Sequence, residues 1–249
     1  RQRQMCIRDR TETGRLVYRY AEEIFSLGDE LEGVLAGRPA TLQGRLRIGL
    51  ADVVPKLIAH RILRPAMHSP PAVHFACFEG KPATLFAQLA THALDAVISD
   101  VPVGAQHNIR AFNHLLGESG VSFFASSRTA AKLSASFPES LSGAACLLPT
   151  ANTAIRRELD RWFSAQGLTP DVRAEVEDSA LLKVFGQDGL GFFTAPTVIE
   201  AEVLQQYRVK VIGRTDEVRE RFYVVSVERR VRNEAVAAIV ESARGDLFQ

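Results

Sequence analysis

The sequence has no marked excess of either charge, few cysteines and no long apolar run, and each of these absences excludes a class of protein. Its 249 residues include 30 Lys and Arg against 29 Asp and Glu, so the chain lacks the basic surplus that is typical of nucleic-acid-binding domains. No apolar segment approaches the ~18 residues of a membrane-spanning helix. Cys6, Cys77 and Cys146 form no disulfide framework and indicate reduced thiols in a cytoplasmic protein.

The motifs of common catalytic and metal sites are also missing. Ser119 lies in GESGV, which lacks the second Gly of a nucleophile elbow. The segment GQDGLG precedes a strand instead of following one, unlike a dinucleotide fingerprint, so we expect Gly186 to end a helix and Gly189 and Gly191 to serve a turn. The histidines show no HExxH pairing and the cysteines no zinc spacing, and the single Trp162 is expected in the core. An enzyme is therefore the least favoured reading.

The first organised segment is an amphipathic helix. Apolar residues separated by alternating steps of three and four form the seam of a coiled coil: Val17, Tyr20, Ile24, Leu27, Leu31 and Val34. Gly33, Gly37 and Pro39 then end the helix. The stripe could belong to the core of the following domain, but the break GVLAGRPATLQG separates the two. We therefore predict that this helix pairs with a second copy of itself.

The next segments alternate between strands and helices. Strands are predicted at Gly44–Asp52, Ala72–Gly80 and Asp95–Asp100, with helices after Pro55 and over Pro82–Ala93. This alternation favours a parallel sheet covered by helices.

A second set of alternating elements begins at Val121–Ser126. Asn152 or Thr153, and then Asp178 or Ser179, are predicted to cap its helices. Further strands are expected at LGFFTAP and at Arg221–Arg229, followed by a terminal helix. The composition, 46% hydrophobic and 24% charged, supplies ample core for two such lobes. We expect the chain to cross between the lobes near Val121–Ser126 and to return near Phe222–Val227.

A carboxylate closes each of the first three predicted strands: Asp52, Glu79 and Asp100. In open parallel sheets, ligands bind beyond the carboxyl ends of the strands, and oxygen ligands suit a hard cation or an amine. The alternative is that these residues cap the following helices, whose positive dipole ends favour anions. Facing residues from the other lobe are predicted to complete a ligand site: Thr150, Asn152, Thr153 and Thr194.

The amino terminus is unusual. RQRQMCIRDR has four Arg, no starting Met and no apolar stretch, so it does not resemble a secretory leader. Residues 1–10 are interpreted as a non-native prefix, similar to translated sequencing adapter, and a basic arm is the alternative.

Several segments together resemble a known family: GRLVYRYAEEIFSLGDELEGVL, CFEG, LATHALDAVISDVP, GESGVSFF, RRELDRWFSAQGL, EVEDSALLKVFG and FFTAPTVIEAEV. With the helix that precedes GRLRIG, they are similar to the LysR-type transcriptional regulators, and among these to the sodium-responsive activators of Na+/H+ antiporter genes. The resemblance implies an α/β, two-lobed effector domain like the type 2 periplasmic binding proteins, preceded by a long dimerisation linker helix.

The resemblance also implies boundaries and partners. Residues 11–40 would be the linker helix and hinge, and 41–249 the effector-binding domain, with lobe I at about 44–120 and 228–249 and lobe II at about 121–227. The family carries an N-terminal winged helix–turn–helix, which is expected upstream of Thr11. A cytoplasmic homodimer or homotetramer would bind promoter DNA, and RNA polymerase is a possible partner.

No catalytic residue, cofactor or membrane contact is expected, but a sodium ion is a candidate effector. Asp52 and Asp100 are its predicted ligands, with Glu79 less favoured. The alternative function, a solute-binding protein of the periplasmic type 2 fold, would need a secretory leader and gives no reason for a coiled-coil seam.

Overall fold

A computed structural model describes residues 11, 13–14, 17–18, 20–21, 24–25, 28, 45–68, 74–105, 109–227 and 234–248. The chain divides into two compact units, Arg1–Arg45 and Leu46–Gln249. The described residues of the first unit are helical between Thr13 and Gly28. Leu27, Leu31 and Val34 of the predicted seam, and the prefix 1–10, lie outside the described residues.

The second unit begins with strands and helices close to their predicted positions. Strand β1 spans Arg45–Ala51, α1 Lys56–His68, β2 His74–Gly80, α2 Pro82–Ala90 and β3 Ala96–Ser99. Pro82 opens α2, where a fixed φ and a missing N–H cost nothing. Strands β1 and β3 pair in parallel. We call these five elements, with the last helix of the chain, lobe I.

Two long strands run through both lobes. Strand β4 spans Phe112–Ala125 and β8 spans Lys210–Ser226, and the two pair antiparallel over most of their length. Both are longer than the sequence predicted. The six-stranded sheet has the order β2-β1-β3-β8-β4-β7, so the two crossing strands lie inside it and connect the lobes.

Lobe II is inserted between the crossing strands. Its elements, in chain order, are α3 (Ser127–Leu133), β5 (Ala145–Pro149), α4 (Ala154–Ala165), β6 (Asp171–Val176), α5 (Ser179–Gln187), β7 (Phe193–Pro196) and α6 (Glu200–Tyr207). A single 3₁₀ turn, Thr197–Ile199, joins β7 to α6. Strands β5 and β6 pair in parallel as a separate sheet.

The sheet is mixed: the parallel pairing predicted for the first strands is present between β1 and β3, and antiparallel strands continue the sheet. Strand β8 is antiparallel to both β3 and β4, and β7 is antiparallel to β4. The reason is topological: a chain that leaves one lobe and later returns to it must run in the opposite direction beside the strand by which it left.

The end of the chain packs back onto lobe I. Helix α7 spans Glu234–Ser242 and continues as a π-helix over Ala243–Leu247. Arg244 Nε donates to the Leu115 carbonyl at 2.8 Å, and the rings of Phe222 and Phe248 stack at 5.5 Å. These contacts fix the returning helix against the start of β4.

Two hydrophobic cores stabilise the second unit. The larger one is built on the lobe I sheet and extends to one face of lobe II, and the smaller one fills the other side of lobe II. Phe123 is the centre of the smaller core, with rings of Phe137, Trp162, Phe163 and Phe192 at 5.3–6.4 Å. Trp162 lies in the core as predicted, and its indole N–H donates to Glu217 Oε2 at 3.0 Å.

Exposed apolar side chains mark the helical unit. Val17, Tyr20 and Ile24 are 60%, 60% and 66% exposed within a single chain. No helix among the described residues combines the length and the apolar character needed to cross a membrane.

Candidate functional site

A small cavity lies where the two lobes meet. Its volume is about 40 Å³, which is room for a few water-sized groups. Lobe I contributes the segment between β1 and α1, lobe II contributes β7 and the ends of β5 and β6, and the crossing strands close the back. The residues that line this cleft cavity are Val53, Pro55, Val121, Pro149, Thr153, Ile155, Val176, Glu177, Ser179, Leu182, Lys183, Thr194, Ala195, Pro196 and Glu220.

Two of the four predicted polar residues of lobe II line the cavity. Thr153 and Thr194 are both buried. The Thr153 hydroxyl caps α4, because its Oγ1 accepts from Arg156 N at 3.3 Å and donates to the Thr150 carbonyl at 3.0 Å. The Thr150 hydroxyl instead donates to exposed Asn152 Oδ1 at 2.6 Å, and neither residue is part of the lining.

Asp100 follows β3 and is only 8% exposed. Among the described residues, none donates a hydrogen bond to its Oδ1. Burial, with a smaller contribution from the charge of Asp52, raises the pKa of Asp100 to about 6, although its own backbone N–H and Arg157 act in the opposite direction. A buried carboxylate oxygen without a donor is costly and is suited to a proton or a cation.

Asp52 lies in the turn that connects β1 to α1. Its Oδ1 accepts from Val53 N at 2.9 Å, and its own N–H donates to the Gly80 carbonyl at the end of β2. Burial raises the pKa of Asp52, and the nearby charges of Glu177 and Glu79 add to this effect. The charge of Asp52 in turn contributes to the raised pKa of Asp100.

Glu79 is more exposed and lies in an ion pair with Lys56 Nζ. Helix α2 follows it, and there the cap residue is Lys81, with no side-chain capping bond. Asp100 precedes no helix, and the hydrogen bond of Asp52 goes to the adjacent residue. Within the described part of the chain, these contacts give no support to helix capping by the three carboxylates.

Two buried charged residues of the cavity were missed by the sequence analysis: Lys183 on α5 and Glu220 on β8. Burial lowers the pKa of Lys183 to about 8, and its ammonium donates to the Ser179 carbonyl at 2.8 Å. Burial raises the pKa of Glu220 to about 8, Asp100 adds to this effect, and Lys183 opposes it. Strand alternation was an available signal, because Val218, Glu220 and Phe222 share one face and two of them are apolar.

The arrangement combines carboxylates from lobe I with hydroxyls from lobe II. Thr153, Thr194 and Glu220 line the cavity itself, whereas Asp52, Glu79 and Asp100 lie on lobe I and are not among its lining residues. Hard oxygens of this kind bind a small cation, and closure of the lobes would bring both sets around it. Within the described ranges, no three His, Cys, Asp or Glu side chains converge as a metal cluster.

A second, larger cavity of about 440 Å³ lies on lobe II between α6 and the start of β8. It is lined by Glu200, Leu204, Arg208, Val209, Lys210, Val211 and Arg214. None of the residues predicted for the site lies there. Glu200 is held by Arg214 through two hydrogen bonds of 2.6 and 2.7 Å.

Known proteins are similar to this chain in sequence and in fold. Residues 39–247 match the LysR substrate binding domain. The transcriptional activator protein NhaR of Escherichia coli K12 is 32% identical over 238 residues, which cover 96% of this chain and 78% of that protein. NhaR of Shigella flexneri is similar to the same extent.

Among solved structures, the sulfate-bound regulatory domain of a mutant OxyR2 from Vibrio vulnificus has a TM-score of 0.65 at 16% identity, covering 82% of this chain and 97% of that one. A full-length OxyR mutant from Pseudomonas aeruginosa has a TM-score of 0.65 at 15% identity, covering 94% and 80%. At these identities the likeness concerns the fold. Sequence and fold together establish that this chain belongs to the LysR-type transcriptional regulators and contains their substrate binding domain.

Proposed function

We propose that this chain is the sensing part of a transcriptional activator that responds to sodium, with a Na+/H+ antiporter gene as its target. LysR-type regulators act as oligomers on promoter DNA, and the relatives of this chain are regulators, not enzymes. We propose that this protein acts likewise in the cytoplasm, as a homodimer or homotetramer. The winged helix–turn–helix of the family would contact the promoter, and RNA polymerase would be a further partner.

The carrying observation is the buried Asp100 Oδ1, which accepts no hydrogen bond among the described residues, together with a cleft cavity of about 40 Å³. Asp100 does not line this cavity, but its charge acts on Glu220, which does. An organic effector of drug-like size occupies about 300–1,000 Å³ and does not fit this cavity, whereas a partly hydrated ion does. The nearby carboxylate of Asp52 raises the cost of ionising Asp100, and a cation relieves that repulsion.

Sodium is proposed to bind weakly to Asp100 and Asp52, with hydroxyls from Thr153 and Thr194 across the cleft. Glu79, which the sequence also suggested, would act through its ion pair with Lys56 at the start of α1. Binding across the cleft would favour the arrangement in which the lobes are close, and the regulator would respond because the two arrangements differ in affinity.

Thermal unfolding in sodium and in potassium at equal ionic strength tests this proposal. A ligand of the native state raises its stability, by about 1.4 kcal/mol when its concentration is ten times Kd. Sodium is expected to raise Tm more than potassium does, and Asp100→Asn and Asp52→Asn are each expected to remove the difference.

Asp188→Asn is the matched control, because Asp188 is exposed at the end of α5, away from the cavity lining. It should keep the full difference between sodium and potassium. If the two cleft variants also keep it, sodium does not bind at these carboxylates.

A further inference from the structure

A polar contact joins the two lobes beside the cleft cavity. Arg61 on α1 of lobe I donates from Nη1 to the Val198 carbonyl of lobe II at 2.8 Å. The same nitrogen lies 3.3 Å from Glu202 Oε1 on α6. The Arg61 side chain is one-third exposed, so both contacts are partly shielded from water.

The contact connects the same two segments that form opposite walls of the cavity. On the lobe I side, Val53 and Pro55 line the cavity, and Arg61 lies on the helix that starts directly after them. On the lobe II side, Thr194, Ala195 and Pro196 line the cavity, and Val198 lies in the 3₁₀ turn that follows. A bond between these walls favours the narrow form of the cavity.

The turn that Arg61 contacts is itself held in place by β4. Val198 N donates to the buried Ser119 Oγ at 3.1 Å, and Ser122 Oγ donates to Thr197 Oγ1 at 3.0 Å. Ser119 and Ser122 lie on the part of β4 that enters lobe II. The turn is therefore fixed to the crossing strand β4. The contact with Arg61 consequently restrains the whole lobe II wall of the cavity.

We propose that Arg61 is a positioning residue that holds the two walls of the cleft together and thereby sets the effector concentration at which the regulator responds. The first part rests on the contacts alone, and the second part rests on the proposed function. Arg61 does not touch the effector. It lowers the free energy of the closed arrangement, so a lower effector concentration is enough to populate that arrangement.

Hydrogen exchange of the chain in potassium buffer without sodium tests the first part. Arg61→Gln removes the charge and shortens the side chain, so amides of Val198, Ile199 and the first turn of α6 should exchange faster than in the unmodified chain. Arg64→Gln is the matched control, because Arg64 is exposed one turn further along the same helix. Glu202→Gln keeps the bond to the Val198 carbonyl and should give an intermediate rate.

Sodium titrations of the same variants test the second part. The sodium concentration at half-maximal stabilisation should increase by roughly three- to tenfold in Arg61→Gln, as expected for a partly exposed charged hydrogen bond, and should stay unchanged in Arg64→Gln. Equal amide exchange rates at the 3₁₀ turn in Arg61→Gln and Arg64→Gln would overturn the proposed role of Arg61 in holding the walls together. If sodium and potassium stabilise the unmodified chain equally, the proposed function is contradicted. The exchange rates alone then test whether Arg61 holds the two walls together.

Discussion

Glu220 carries a carboxyl group that water reaches only slightly, in a strand whose neighbouring charged residues are exposed. Its pKa is raised from 4.5 to about 8, so the folded chain holds this proton more tightly than the unfolded chain does. As pH rises from about 4.5, the unfolded chain loses the proton first, and the contribution of Glu220 to stability falls until about pH 8. Asp100 and Lys183 are the charged groups that face it.

Glu220→Gln keeps the shape of the side chain and removes its titration. We expect its free energy of unfolding to equal that of the unmodified chain at about pH 4.5 and to exceed it by about 1–3 kcal/mol at about pH 8.5. The gain is less than the full cost of burial because Lys183 loses its partner. Urea unfolding at both pH values measures the difference, with exposed Asp216→Asn on the same strand as the control. A difference that does not depend on pH would show that Glu220 is ionised throughout this range.

The residues of the site differ in how far the sequence could reveal them. Asp100 directly follows β3, and Thr194 lies within the short strand β7, so a local pattern of apolar residues points to both. Lys183 could not be recognised in ALLKVFG, because one long polar side chain in an apolar helix is usually an exposed one. Its burial depends on β8, which arrives about forty residues later in the chain.

At the scale of single elements, helix α5 begins at a side-chain cap and ends close to a tightly packed glycine. Asp178 Oδ1 accepts from Ala180 N and Leu181 N at 2.7 and 2.8 Å, as the sequence predicted, and these bonds lower the pKa of Asp178. Gly186 was expected to end the helix, but α5 continues to Gln187. A Cβ at Gly186 would lie 2.1 Å from the Phe193 ring, so packing against β7 explains this glycine.

Asp178→Ala should cost about 1 kcal/mol of stability at neutral pH, because two N–H groups of the first turn lose their acceptor. The loss should shrink as pH falls through the lowered pKa of Asp178, since protonation already weakens the cap in the unmodified chain. Chemical denaturation at neutral and at acidic pH measures both effects. Asp178→Asn keeps an acceptor and is the control; equal losses in the two variants would argue against capping.

The lengths of the crossing strands were the main element-level error. Strand β4 was predicted from Val121 but begins at Phe112, and β8 was predicted from Arg221 but begins at Lys210. Their missed halves are polar and contain Gly117, Gly120 and Gly213, which weaken a strand pattern. They are strands because each pairs with the other across about a hundred residues of sequence, and no local signal reports such a partner.

At the scale of the whole molecule, the helical unit presents an apolar stripe. Val17, Tyr20 and Ile24 are exposed in one chain, and Leu27, Leu31 and Val34 continue their spacing in the sequence. We expect the chain to be at least dimeric by light scattering, and Ile24→Asp with Leu27→Asp to lower its molar mass, because each charge would have to be buried in the seam.

Phe25→Asp is the matched control for this prediction. Phe25 is 73% exposed and lies beside Ile24, but successive helical residues point about 100° apart, so it is off the seam. Its replacement should leave the molar mass unchanged. A drop as large as that of the seam variant would mean that association uses the whole apolar surface and not the predicted stripe.

The path of the chain through the sheet has a consequence for its synthesis on the ribosome. Strand β8 lies between β3 and β4 in the sheet, so lobe I lacks an inner strand until residue 226 has been translated, and α7 comes later still. Lobe II, in contrast, receives nearly all of its elements as one contiguous stretch. Because domains fold as units while the chain emerges, lobe II should become protease-resistant in nascent chains before lobe I does, although lobe I is translated first.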